Sequence, residues 1–199
     1  IISLMMALMA MSIDTMMPAL SQIGVDLHIE NANDRQLIIS SIFLGLALGQ
    51  LFFGPLSDKT GRKPAIYMGF GIYIVGVLLS IFSQNFPVML AGRLLQGIGV
   101  SSPRSVTLAM VRDRYEGRLM ARVMSFAMTV FILVPLIAPS LGQLILMVAG
   151  WRFIFVAFVI IALVSLIWFA LRMPESLPIE KRIPFSLQQI VSASLTIIK

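Results

Sequence analysis

Long apolar runs alternate along the chain with short polar or Pro- and Gly-containing stretches. Six such runs cover residues 1–20, 36–57, 64–84, 87–112, 119–148 and 151–172. An α-helix that rises 1.5 Å per residue needs about 20 residues to cross a hydrocarbon core of about 30 Å. The alternation of apolar and polar residues that is typical of strands is missing, which disfavours a β-barrel. The pattern therefore predicts an all-α membrane protein, a bundle of six transmembrane helices.

The stretch after the sixth run differs from the bundle. Residues 173–199 begin with three prolines among charged side chains, a composition typical of a linker. From Phe185 a mixed polar and apolar segment predicts the start of another helix. We therefore expect a bundle over 1–172 and, over 173–199, a cytoplasmic linker with the start of a further helix. The first run has no charged leader and no cleavage site, so we expect a transmembrane helix that lacks its cytoplasmic end, not a signal peptide.

Composition supports this assignment and excludes several kinds of function. Hydrophobic residues make up 58% of the chain and charged residues 12%, about half the charged share of a soluble domain. The net charge of +6 comes from residues in short loops, so a nucleic-acid partner is not predicted. The chain has no cysteine and one histidine, which argues against a thiolate nucleophile or a metal cluster. We predict no cofactor, no bound metal and no enzymatic activity.

The positions of Lys and Arg predict the orientation in the membrane. If the first run starts in the cytoplasm, two basic residues lie outside, two lie within a span, and eleven of the fifteen lie inside. The inside group is Lys59, Arg62, Lys63, Arg112, Arg114, Arg118, Arg122, Arg172, Lys181, Arg182 and Lys199. Cytoplasmic loops of membrane proteins carry such an excess of basic residues. We therefore predict a cytoplasmic N-terminus and a multi-pass protein of a bacterial inner membrane.

The turn between the second and third runs, Gly54-Pro-Leu-Ser-Asp58-Lys-Thr-Gly61-Arg62-Lys63-Pro, is the most specific segment. Gly54 permits close approach of helices, and Gly61 permits a tight turn. Asp58, at a helix end, is suited to accept hydrogen bonds from the free N–H groups at the start of a neighbouring helix. A plain tight turn with basic anchors at the membrane surface is the alternative interpretation.

The fourth run carries an arginine inside a span, which costs several kcal/mol unless it is paired or faces water. At 100° per residue Arg93, Gly97 and Arg104 fall on one stripe, to which we add Gln96, and this stripe suits a water-filled cavity. A structural arginine bonded to backbone carbonyls is the alternative.

Asp14 is the only carboxylate well inside any run. Counted from the predicted outer helix ends, Asp14 and Arg93 both lie about 9 Å deep, so we expect an ion pair or a shared water. An acid in such a place can change its protonation as its surroundings change, and so carry protons. A hydrogen bond that only fixes helix packing is the alternative.

Pro135, Pro139 and Gly142 lie on one face of the fifth run. Prolines free backbone carbonyls and kink a helix, and glycine allows close contact, so this face predicts a kinked, closely packed helix. An ordinary bent helix is again the alternative.

Several of these segments resemble motifs of the major facilitator superfamily. The 54–63 turn matches its G-x-L-x-D-x-x-G-R-K signature, and Arg93-x-x-Gln96-Gly97 resembles its helix 4 motif. Asp14 with Pro18 resembles the first-helix motif of drug:proton antiporters, although methionines stand where some members carry a second acid. The fifth run resembles the G-P-x-x-G-G exporter motif, with Ala138 and Gln143 in place of glycines. The resemblance is strongest to the Bcr/CflA-type antiporters.

The resemblance implies the N-terminal half of the major facilitator fold and a proton-coupled exporter that works by alternating access. Asp14 and Arg93 would couple protons, while Asp58, Arg62 and Asp113 would latch the cytoplasmic side. The implied partners are a small-molecule substrate, protons, the lipid bilayer and a second six-helix half. A proton-driven uptake carrier and a non-transporting scaffold or inactive fragment remain as alternatives.

Overall fold

The computed structural model describes residues 1–178, 180 and 182, and every regular element in that part of the chain is helical. Lys181, Lys199 and the helix predicted from Phe185 lie outside the described residues. The helices are α1 (Ile2–Asp14), α2 (Leu20–Asp26), α3 (Leu37–Thr60), α4 (Arg62–Ile81), α5 (Phe86–Arg114), α6 (Gly117–Ala149) and α7 (Trp151–Arg172). Short 3₁₀ turns at Met17–Ala19 and Ala32–Gln36 join α1 to α2 and α2 to α3. Helices α3 to α7 begin and end within three residues of the second to sixth apolar runs.

The first membrane span is longer than the predicted helix 1–20 and is interrupted. Helix α1 ends at Asp14, a 3₁₀ turn with Pro18 follows, and α2 continues to Asp26. Proline has no N–H to donate and its ring clashes with the carbonyl four residues earlier, so Pro18 breaks the helix just after Asp14. The predicted outer end near residue 20 is therefore wrong, and Asp14 lies near the middle of the span.

Local sequence sets the other helix boundaries. Asn85 caps α5 by accepting a hydrogen bond from the Val88 N–H at 3.0 Å, and Pro87 occupies the first turn. Gly61 between α3 and α4 has φ 104°, and Gly150 between α6 and α7 has φ 86°. Because other residues rarely adopt such angles, these two glycines allow one helix to follow another almost without a loop.

Helix α5 lies in the interior, against α3, α4 and α1. Glycines make this close packing possible. A Cβ atom on Gly97 would overlap the carbonyl oxygen of Ile42 in α3, and one on Gly45 would overlap the carbonyl oxygen of Leu94 in α5. On the other side of α5, a Cβ atom on Gly99 would overlap the α4 backbone. Small residues of this kind let helix backbones meet directly inside a membrane.

By length and composition, five stretches of helix among the described residues suit a membrane. They are Ile2–Asp26, Asn33–Thr60, Arg62–Ile81, Gly117–Ala149 and Trp151–Arg172. Helix α5 is not one of them, because it carries Arg93, Gln96, Arg104 and many glycines and serines. Its neighbours α3 and α4 shield these groups and present large apolar side chains outward. The six-span prediction thus agrees with six long helical units, of which the fourth is mostly enclosed by protein.

The end of the bundle opposite residues 58–63 is held by a polar clamp. The Trp151 indole N–H donates to Asp26 Oδ2 at 2.7 Å, and the indole is 2% exposed. The Arg152 guanidinium lies 4.1 Å from the centre of the Trp151 ring. Its Nε donates to the carbonyl of Ile81 at 3.2 Å, and Nη2 donates to that of Ser83 at 3.3 Å. These contacts tie the ends of α2 and α4 to the start of α7.

Candidate functional site

Three segments meet at one end of the bundle, which we call the basic end: residues 58–63, residues 112–118 and residues 172–178. Arg62 is at its centre. Nε of Arg62 donates to Asp113 Oδ2 at 2.9 Å, and Nη1 donates to Ser57 Oγ at 2.8 Å and to the Asp58 carboxylate. Arg62 is 7% exposed, whereas the side chains of Asp58 and Asp113 are 45% and 22% exposed. The structure thus brings the three predicted gate residues into one cluster around a buried guanidinium.

The other predicted residues of the turn have different surroundings. Gly61 forms the predicted tight turn between α3 and α4, with a φ of 104° that favours glycine. Gly54 makes no close helix approach within the described part of the chain, since nothing lies within 4 Å of a Cβ atom built on it. Lys63 ties α4 to α7: its Nζ donates to the Ala170 carbonyl at 3.5 Å and lies 5.9 Å from the ring centres of Tyr67 and Phe169.

Glu175, which sequence reasoning did not single out, completes the basic end. Its Oε1 accepts from the Arg62 N–H and its Oε2 from the Lys63 N–H, each at 3.0 Å. These N–H groups begin α4, so a residue that follows α7 caps a helix more than a hundred positions earlier in the chain. Oε1 also accepts from the N–H groups of Ser176 and Leu177, at 3.0 and 3.1 Å. The only sequence signal was an acid directly after Pro174 in a linker of mixed charge.

Glu175 should make stability at the basic end depend on pH. Burial raises the pKa of its carboxyl, but the four N–H donors outweigh burial and hold that pKa below the ordinary value of 4.5. The capping contribution is therefore present above pH 4.5 and is lost as pH falls through the lower, folded-state pKa. For Glu175→Gln we expect a loss of about 0.5–1 kcal/mol in unfolding free energy at pH 7 that vanishes in acid.

Thermal unfolding of the purified protein at pH 7 and near pH 3 measures this effect. Glu116→Gln is the matched control, because Glu116 is exposed and its carboxylate makes no hydrogen bond within the described residues. Equal losses for the two variants at pH 7, or a Glu175→Gln loss that persists in acid, would contradict the capping role.

A second polar site lies in the interior, where Arg93 is 0% exposed. Its Nη2 donates to the Ser12 carbonyl at 2.9 Å, Nη1 to Gln96 Oε1 at 2.8 Å, and Nε to the Ile38 carbonyl at 3.3 Å. The guanidinium carbon lies 5.9 Å from the centre of the Phe155 ring. Arg93 therefore bonds to backbone carbonyls and a neutral side chain, as the alternative structural interpretation expected.

Asp14 is half-buried at the end of α1, and its carboxylate makes no hydrogen bond or ion pair within the described residues. The expected ion pair between Asp14 and Arg93 is not formed. The depth count behind it was also wrong, since α2 extends the span to Asp26. Arg93 nevertheless contacts Ser12, two residues before Asp14. Because the break at Pro18 leaves carbonyls at the end of α1 unpaired, the guanidinium caps the negative end of the α1 dipole.

The predicted cavity stripe on α5 is mostly packing surface in this structure. Gln96 is 0% exposed and donates to the Gly76 carbonyl at 3.2 Å and to Ser80 Oγ at 2.8 Å. Gly97 lies against the α3 backbone. Arg104 alone is half-buried without a hydrogen bond or ion pair in the part of the chain that the structure describes. The helical period predicts one shared face for these residues, but α4 covers Gln96 and α3 covers Gly97.

The three residues predicted for helix 5 lie within α6, which is continuous through both prolines. Pro135 is exposed and Pro139 half-buried. Gly142 is buried where α6 crosses the break in the first span, and a Cβ atom there would overlap the carbonyl oxygen of Thr15. The predicted close packing therefore occurs at Gly142, directly beside the Asp14 segment.

Comparison with known proteins gives the same picture as the fold. A family model described as Major Facilitator Superfamily matches residues 2–197. The chain is 33% identical over 191 residues to the uncharacterized MFS-type transporter YdgK of Bacillus subtilis (strain 168), covering 95% of this chain and 47% of that protein. It is 32% identical over 168 residues to the multidrug resistance protein MdtL of Shigella flexneri serotype 5b (strain 8401), covering 83% and 42%. The chain spans about half the length of these curated relatives.

Solved structures show the fold. The human organic anion transporter MFSD10 superimposes with a TM-score of 0.72 at 18% identity, covering 96% of this chain and 51% of that one. The inward-open xylose transporter XylE from E. coli gives 0.76 at 17% identity, covering 98% and 54%. The predicted all-α fold is confirmed, and it matches about half of each of these larger helical transporters.

Proposed function

This chain belongs to the major facilitator superfamily, and on that basis we propose that it is the first half of a proton-coupled exporter of small molecules. Its relatives are named as transporters, so the prediction that it is not an enzyme is confirmed. The relation to a multidrug resistance protein supports export as the direction. We propose that a second six-helix half completes the transporter around a central cavity.

The half-buried, unpaired carboxylate of Asp14 at the break in the first span carries this proposal. A carboxylate inside a membrane is costly, and here neither a cation nor a hydrogen-bond donor among the described residues compensates it. Such a group binds a proton readily and releases it when its surroundings become wetter. In this mechanism a proton from outside binds Asp14 in one state of the transporter and leaves to the cytoplasm in the other.

Arg93 supports Asp14 without neutralising it. Its guanidinium is held by three acceptors in the bundle interior and places a positive charge at the carbonyl end of α1. Because Arg93 holds Ser12, two residues before Asp14, it helps to fix the position of the Asp14 segment in the bundle. The proposed pair therefore acts through the end of α1 and not through a direct ion pair.

The basic end serves as the proposed cytoplasmic gate. Arg62 joins the α3–α4 turn to α5, and Glu175 joins the segment after α7 to the start of α4. These contacts make one rigid unit of the surface that would meet the second half when the cytoplasmic side is closed. The Asp58 side chain, 45% exposed, remains accessible to a partner helix.

The predicted topology fits the gate. The excess of Lys and Arg at the basic end supports a cytoplasmic location for that end and an inner-membrane location for the protein. The clamp formed by Trp151, Arg152 and Asp26 would then lie on the outer side.

Transport by the protein that carries this chain together with its second half tests the proposal. Everted membrane vesicles energised with a pH gradient should take up cationic dyes or drugs, and addition of substrate should partly collapse the gradient. Vesicles without the protein, and vesicles treated with a protonophore, are the controls. Movement of substrate in the opposite direction would favour the uptake carrier, an alternative that the imperfect helix 5 motif also supports. No substrate-linked proton movement with any tested compound would favour a non-transporting scaffold or an inactive fragment.

A further inference from the structure

Ser12 receives two buried hydrogen bonds from two other helices. Its carbonyl accepts from Arg93 of α5 at 2.9 Å, and its hydroxyl lies 2.7 Å from the Tyr73 hydroxyl of α4. The Ser12 hydroxyl also lies 2.6 Å from the Leu8 carbonyl, to which it donates its single hydrogen. Tyr73 is therefore the donor in its bond to Ser12. Ser12, Tyr73 and Arg93 are all 0% exposed.

The position of Ser12 in the chain makes these bonds relevant to Asp14. Ser12 lies in the last turn of α1, two residues before Asp14 and just before the break at Pro18. The bonds within α1, up to the Thr15 N–H that donates to the Met11 carbonyl at 3.2 Å, keep this turn helical but do not fix its position relative to the other helices. Tyr73 and Arg93 supply that constraint from the neighbouring helices.

We infer that Tyr73 is a positioning residue for Asp14, which acts through its hydrogen bond to Ser12. This inference rests on the proposed proton-coupling function. The Tyr73 hydroxyl holds the end of α1 against α4, while Arg93 holds the same residue against α5, so the Asp14 carboxylate is presented at one fixed angle. Without the phenolic O–H, Ser12 loses one of its two external bonds, and the end of α1 can turn about the bond to Arg93.

Few other charged or titratable groups among the described residues act on Asp14. Tyr73 on α4 and Arg93 on α5 contact this end of α1 through Ser12, and Arg104 is the other charged residue in the interior of α5. The charged residues of the other packed helices lie at or near helix ends, namely Lys59 and Asp58 on α3, Arg118 and Arg122 on α6, and Arg152 and Arg172 on α7. A change at Tyr73 should therefore reach transport mainly through Asp14.

The test is the pH dependence of transport by the complete protein with Tyr73→Phe. The ring remains in its buried site and only the hydroxyl is lost, so membrane insertion should survive. We expect the pH midpoint of proton-coupled transport to move by up to about 1 pH unit, because the whole free energy of one hydrogen bond, about 0.5–1.5 kcal/mol, sets the upper limit of the shift. Tyr67→Phe is the matched control, because Tyr67 lies on the same helix, is 39% exposed and bears a hydroxyl that makes no hydrogen bond within the described residues.

Two further variants decide between outcomes. Ser12→Ala should move the midpoint in the same direction, and the double variant Ser12→Ala with Tyr73→Phe should move it no further than the single ones, since both remove the same bond. A midpoint for Tyr73→Phe equal to that of Tyr67→Phe, or additive shifts in the double variant, overturns the inference.

The Asp14→Asn variant separates failure of this inference from failure of the proposed function. If Asp14→Asn leaves coupling intact, the proposed function fails. If Asp14→Asn abolishes coupling while Tyr73→Phe has no effect, only the role of Tyr73 fails.

Discussion

Asp14→Asn in the complete transporter is expected to abolish substrate-driven proton movement while leaving the protein in the membrane. Asparagine has nearly the same shape as aspartate but binds no proton in the physiological range. Because no cation or donor among the described residues is paired with Asp14, its replacement leaves no buried charge unmatched, and the fold should tolerate it. The loss should therefore be one of coupling and not of stability.

Everted vesicles that contain the variant transporter measure the loss of proton coupling directly. Substrate should no longer collapse an imposed pH gradient, whereas exchange of labelled for unlabelled substrate, which needs no net proton movement, should continue. Asp34→Asn is the control, since Asp34 lies in the 3₁₀ turn between α2 and α3, at the very start of the Asn33–Thr60 stretch and not in its interior. A wild-type proton signal from Asp14→Asn would remove Asp14 from the mechanism.

Gly97→Val is expected to have the largest effect on folding. A side chain at position 97 would overlap the Ile42 carbonyl oxygen and lie 2.8 Å from the Leu46 nitrogen. Both are backbone atoms of α3 and cannot rotate away, so α3 and α5 would have to separate along their length. Overpacking of a core commonly costs 1–3 kcal/mol, and we expect about 3 kcal/mol or more here because backbone atoms must move.

The yield of monodisperse protein after detergent extraction and its melting temperature report the effect. Gly71→Val in α4 is the matched control, because nothing lies within 4 Å of a Cβ atom at Gly71. Gly71→Val should extract and melt much like the parent protein. Similar yield and melting temperature for the two variants would show that the glycine contacts between α3 and α5 do not limit stability.

Much of the fold was predictable because bilayer thickness imposes a length on each span. The five later helices follow from blocks of about 20 apolar residues and from the residues that end them, such as Asn85, Gly61 and Gly150. The first span was harder, because its apolar character continues through a break. Pro18 was visible in the sequence, but whether a proline kinks, interrupts or ends a helix depends on what packs against it.

The candidate sites, like the fold, were predictable from the sequence only in part. The turn around Arg62 was predictable, since its members are close in the chain apart from Asp113, which the family resemblance supplied. Glu175 escaped notice because a capping acid is recognised by the helix start that it meets, and that helix start lies far away in the sequence. Arg93 was predicted as a costly buried charge. Its partners were not predicted, because they include backbone carbonyls, which every type of residue carries.

By itself, the sequence determined the number of long helical units, the lengths of the five later ones, the clustering of basic residues at alternate turns and the family. These properties depend on composition and on local sequence pattern, because each span must match the thickness and polarity of the bilayer by itself. Only the tertiary structure decided that Arg93 binds the end of α1 instead of the Asp14 carboxylate, that α5 turns its polar stripe into its neighbours, and that Glu175 caps α4. Each of these outcomes includes a contact between a side chain and a backbone group of another helix. Such contacts form only when the helices pack, and they join segments that are far apart in the chain.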